Sequence, residues 1–92
     1  MKTLHFQQIA DSRFNTGLPD LELRISQITS KLSDLPGVTV KVDEPYRIDW
    51  GEPDPNTQYR ANFYVTKDKR VTWDTIYAIV NSVKPVYYRF IY

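Results

Sequence analysis

Residues 18–42, LPDLELRISQITSKLSDLPGVTVKV, change their apolar period from 3.6 to 2 across a two-residue stop. Leu18, Leu21, Ile25, Ile28, Leu32 and Leu35 follow one another at spacings of 3, 4, 3, 4 and 3. That spacing puts all of them on one face of an amphipathic helix. Pro36-Gly37 then ends the helix, because proline disfavours the α conformation before it and glycine accommodates the chain reversal. Val38, Val40 and Val42 alternate as a strand does. The unit constrains the fold strongly and states no chemistry.

The rest of the chain can be placed around it. Residues 3–9, TLHFQQI, read as a strand with Leu4 and Phe6 on one face, and residues 10–17 as a turn-rich connection in which Thr16 or a neighbour caps the helix. After Val42 the pattern is interrupted by Asp43-Glu44-Pro45 and resumes with Tyr46, Ile48 and Trp50. One long strand bent at Pro45 is expected, on a sheet edge, because proline cannot donate to a ladder. Residues 51–56, GEPDPN, are a loop. Residues 58–66, QYRANFYVT, alternate Tyr59, Ala61, Phe63 and Val65 against Arg60, Asn62, Tyr64 and Thr66. Thr72 and Asp74 open a second helix, with Trp73, Ile76, Tyr77, Val80 and Val83 as its buried stripe. Lys84-Pro85 stops it, and residues 86–92, VYYRFIY, make a last strand.

The order strand, helix, strand, strand, helix, strand, with right-handed crossovers, is that of the ferredoxin-like split βαβ sandwich. The expected fold class is therefore α+β: βαββαβ, two helices on one face of a four-stranded antiparallel sheet. Strands one and three are central and strands two and four are edges. The 92 residues form one domain, with residues 1–15 weighed as a partly flexible arm.

Composition narrows the chemistry. There is no cysteine, which removes disulfides, thiolate catalysis and cysteine-held zinc, and only one histidine, His5. The acidic residues are scattered through turns, and Asp49, Glu52 and Asp54 lack the spacing of a calcium loop. No catalytic constellation is visible, so no enzyme activity and no cofactor or metal is expected. A net charge of +1 supplies no field for nucleic acid or anionic lipid. No apolar run has the length of a membrane span, and the start, MKTLHFQQIADSRF, lacks a signal-peptide core. A cytoplasmic location is expected, the host cytoplasm or a virion if the chain comes from a phage. Aromatic residues are plentiful, with seven Tyr, four Phe and two Trp, and they supply large contact area at low entropic cost.

Three stretches resemble known families. ISQITSKLSDLPGVTVKVD, residues 25–43, is similar to the helix-to-strand passage of heavy-metal-associated domains, which implies the ferredoxin-like fold. Those domains hold metal with two cysteines before the helix, where this chain has ADSRFNTG, so metal carriage is not implied. RANFYV, residues 60–65, faintly resembles the aromatic motif of RNA-recognition motifs. There Tyr64 would stack a base, but Asn62 replaces the first stacking aromatic and Ala61 and Phe63 replace small residues. On these strand assignments the sheet's open face holds His5, Gln7, Asn62 and Tyr64. VTWDTIYAIVNSVKPVYYRFIY, residues 71–92, looks like the end of several phage tail and baseplate proteins: a helix, a Lys-Pro stop and an aromatic strand. GVTVKVDEPYRIDW and YRANFYV precede it in the same way, so the likeness covers roughly the C-terminal 55 residues. It departs at Val86-Tyr87, where a small residue and a histidine are usual.

The leading expectation is a non-enzymatic protein-interaction module with a phage-type structural or assembly role. The alternatives are a small inhibitor of a host defence or enzyme complex, and an RNA-binding domain. Contact is expected through a sheet face or edge, with a protein partner or by self-association. Tyr64, Tyr87, Arg89, Ile91 and Tyr92 are the candidate contact residues. Val86, Tyr88 and Phe90 are expected to face the core.

Overall fold

The computed structural model describes residues 3–49 and 56–83, and the backbone of 88–90. Strand β1 spans Leu4–Asp11, and a short 3-10 turn, Ser12–Phe14, follows it. Helix α1 spans Leu18–Ser33, β2 Val38–Val42, β3 Tyr46–Asp49, β4 Thr57–Lys67, α2 Trp73–Ser82 and β5 Tyr88–Phe90. Every pairing is antiparallel, and the sheet runs β2-β4-β1-β5, with β3 also on β4. Since β2 and β3 lie end to end along β4, the sheet has four rows, and the arrangement is the ferredoxin-like α+β sandwich. No described helix is long and apolar enough to cross a membrane.

Both helices cover the same face of this sheet. Leu21, Ile28 and Leu32 of α1 and Ile76 and Val80 of α2 share one buried cluster with Leu4, Phe6 and Ala10 of β1 and Ala61, Phe63 and Val65 of β4. Phe6 and Phe63 are directly opposite in register and stack with ring centroids 4.7 Å apart. The spacing-derived stripe of α1 is present: Leu21, Ile28 and Leu32 are buried, and Leu18, Ile25 and Leu35 are half-buried. Gly17, rather than Thr16, is the N-cap, and its N–H donates to the Asp20 carboxylate at 2.7 Å. Thr72 caps α2 as expected, its hydroxyl accepting the Thr75 N–H. Gly37 has φ +74° and its carbonyl accepts the Asp68 N–H, so the helix-to-strand stop is also where β4's exit turn docks.

A charged side chain sits between helix and sheet. Arg24 is 1% exposed, and its guanidinium donates to Gln8 Oε1 at 3.0 Å and to the Ile9 carbonyl at 2.9 Å. It occupies the apolar stripe between Leu21 and Ile28. Gln8, likewise, occupies the core row of β1 between Phe6 and Ala10.

The expected single strand through Pro45 is two strands. Val42 faces Phe63 and Tyr46 faces Arg60, so residues 43–45 stand opposite residues 61 and 62 only. The Asp43 N–H still reaches the Asn62 carbonyl at 3.0 Å. Beyond it, Pro45 has no N–H to continue the ladder. This is a β-bulge with one extra residue, and it reverses the alternation. By parity alone Tyr46 belongs on the helix side with Val42. Instead Tyr46 and Ile48 pair with Arg60 and Gln58 on the open face, and Arg47 and Asp49 pair with Tyr59 and Thr57 on the helix side.

Candidate functional site

The face of the sheet turned away from both helices carries the candidate site. Register brings His5 opposite Tyr64, Gln7 opposite Asn62, Ile9 opposite Arg60 and Asp11 opposite Gln58. On the far side of β4, Lys41 faces Tyr64 and Thr39 faces Thr66. The four open-face residues anticipated from alternation, His5, Gln7, Asn62 and Tyr64, are therefore adjacent.

They form a connected polar and aromatic group. The His5 and Tyr64 rings stack with centroids 4.6 Å apart and planes 17° from parallel. Asn62 Oδ1 accepts from Gln7 Nε2 at 3.0 Å and lies 3.1 Å from His5 Nε2. With Asn62 presenting its oxygen to both, His5 Nε2 is the donor. Gln7 Nε2 donates also to the Tyr46 hydroxyl at 2.9 Å, so the bulge that turned Tyr46 outward ties it into this group. Gln7 is 6% exposed, held among its neighbours rather than in water. These mutual bonds fix rotamers before any partner arrives, which lowers the entropic cost of contact.

Beside the stack lies an open groove of about 490 Å³ lined by Thr3, Thr39, Lys41, Asp43, Tyr64 and Thr66. Burial, and after it the neighbouring Asp43 carboxylate, push the Tyr64 phenol above its ordinary value. Tyr64 thus stays neutral through the physiological range.

At the other end of the face, Asp11 organises the β1 exit. Its carboxylate accepts from the Arg13 backbone N–H at 2.9 Å, from Arg13 Nε and Nη2 at 3.0 and 2.7 Å, and from Gln58 Nε2 at 2.9 Å. The Arg13 side chain, above all, holds the Asp11 carboxyl well below the usual carboxylate range, against the opposing effect of desolvation. Gln58 Oε1 in turn accepts from Arg60 Nε. The Asp11 N–H donates to Thr16 Oγ1, and that hydroxyl donates back to the Asp11 carbonyl, closing the loop that leads into α1.

Of the five expected contact residues, Tyr64 is on this face, in the centre of the group. Arg89 lies on β5 in register with Gln7. Tyr88 and Phe90 are in register with Gln8 and Phe6. Tyr87, Ile91 and Tyr92, like Val86, lie outside the described residues. Sequence reasoning did not include Tyr46, Lys41 and Asp43 in the site. Lys41 was recoverable, since alternation from Val40 and Val42 turns it outward beside Tyr64. Tyr46 was not, because its face depends on the bulge.

The β2 edge of the sheet is a poor docking strip. β2 has five residues, carries Lys41, and ends in a bulge and a proline, the devices that blunt an edge against further pairing. No family model, no curated protein and no solved structure matches this chain. The phage and heavy-metal-domain resemblances therefore rest on the quoted residues alone.

Proposed function

We propose that this chain is a non-enzymatic protein-interaction module that docks through the open face of its sheet. Its role is the structural or assembly role implied by the likeness of residues 71–92 to phage tail and baseplate proteins. One observation carries the docking reading. The face away from the helices presents Tyr46, Tyr64 and His5 together with Ile9 and Ile48, and neither helix covers it. Tyr46 is 39% exposed although its hydroxyl is already hydrogen-bonded, so its ring is available for contact without a new polar cost. The blunting of the β2 edge favours the face over that edge.

In vivo photo-crosslinking tests this. A photoreactive residue is placed at 46, or at 23 on the outer side of α1, where Leu23 is 60% exposed. The expected result is a discrete protein adduct from position 46 and none from position 23. Adducts from position 23 alone would refute face docking. A nuclease-sensitive adduct at 46 would replace the protein reading by the RNA-binding one.

A further inference from the structure

We infer that the occupant of this face is a second copy of the chain, docked about a two-fold axis through the groove beside Tyr64. The inference rests on the open-face reading above and names its partner. Lys41 and Asp43 both line the groove, both are exposed, and neither forms an ion pair with any described residue. Lys41 lies near the end of β2 and Asp43 directly follows that strand. One patch therefore carries an exposed cation and an exposed anion beside a neutral tyrosine. A partner surface of a single sign would meet repulsion from one of the two. The same patch turned by a two-fold axis meets none: Lys41 of each copy faces Asp43 of the other, the self-complementarity that a two-fold interface requires. The net charge of +1 sets up no long-range repulsion between copies. Further along the same face, Tyr46 and Ile48 add apolar area.

Charge reversal tests the geometry. Lys41→Glu and Asp43→Lys are exposed substitutions, and circular dichroism confirms that each variant folds. Sedimentation velocity is then run from micromolar to millimolar chain. The wild type is expected to dimerise, and each variant alone to dimerise more weakly by about tenfold or more, because like charges now meet twice per dimer. An equimolar mixture of the two variants is expected to recover association, since every pair across the heterodimer is again of opposite sign. A wild type that stays monomeric overturns the second-copy assignment and leaves face docking to the crosslinking result. Dimerisation unaffected by either charge but lost in Tyr46→Ala/Tyr64→Ala overturns the Lys41–Asp43 pairing and keeps the face. Dimerisation unaffected by all of these substitutions overturns both.

Discussion

Replacing Asp11 by Asn probes the best-defined electrostatic feature of the chain. The carboxylate is 1% exposed and receives the Arg13 backbone, the Arg13 guanidinium and Gln58. Asparagine keeps the shape but turns one acceptor into a donor facing donors and removes the charge. Hydrogen bonds to a charged group contribute about 1.5–3 kcal/mol each when buried. The Arg13 side chain is 48% exposed, so its share is discounted for solvent screening. The expected loss is about 2–3 kcal/mol, against a total stability of roughly 5–14 kcal/mol for a chain of this size. In melting temperature this is roughly 10–20 °C. The pH dependence supplies the sharper check. A carboxyl whose folded pKa lies below its unfolded value stabilises the fold above the unfolded value, near 4, and loses that contribution as pH falls toward the folded one. Urea titrations followed by far-ultraviolet circular dichroism, at steps from pH 7 to pH 2.5, measure the gap between wild type and variant. Asp68, also lowered, mainly by its hydrogen bond from Arg70, is common to both proteins and cancels in that difference. The gap should be constant above pH 5 and narrow below pH 4. A gap under ~0.5 kcal/mol at pH 7, or one that persists unchanged to pH 2.5, would refute the reasoning.

Two further substitutions test the interior and the helix stop. Gly37→Ala should cost about 1–2 kcal/mol in urea unfolding: φ is +74°, and a Cβ there would run into the Asp68 carboxylate, which is held by Arg70. A loss below ~0.5 kcal/mol would show that the turn shifts freely. Arg24→Ala should cost about 3 kcal/mol, since it removes a buried stem and strips Gln8 Oε1 of its donor. A double-mutant cycle with Gln8→Ala should return a coupling of about 1 kcal/mol or more, and additive losses would deny the Arg24–Gln8 bond an energetic role.

The helices and their covered face could be read in advance because periodicity is local. Leu21, Ile28 and Leu32 declare a helix face without knowledge of what they touch. The open-face set His5, Gln7, Asn62 and Tyr64 followed from the same logic, since antiparallel order and a period of 2 determine which residues share a face. Arg24 and Gln8 were missed because their residue types argue for solvent, although their positions, at 3 and 4 residues from Leu21 and Ile28 and between Phe6 and Ala10, argue for the core. Asp11 was missed for a different reason. Its partners, Arg13 and Gln58, are one local and one distant, and nothing local announces that a strand 47 residues away brings an amide to it. The face of Tyr46 lay beyond local reading altogether. It depends on how many residues of β4 the segment 43–45 spans, which is a property of the pairing and not of either strand.

That last point bears on how such a chain can change in length. Exposed connections ordinarily accept an added or lost residue with small effect. Residues 43–45 look like such a connection: Asp43 and Glu44 are exposed, and Pro45 carries no ladder bond. Losing one residue there would remove the bulge and leave Tyr46 opposite Arg60 on the open face, whereas regular pairing at the present length would send Tyr46 and Ile48 into the helix layer and Arg47 and Asp49 onto the open surface. The segment is a phase-setting joint, in which one residue left out of the pairing decides what the surface downstream presents.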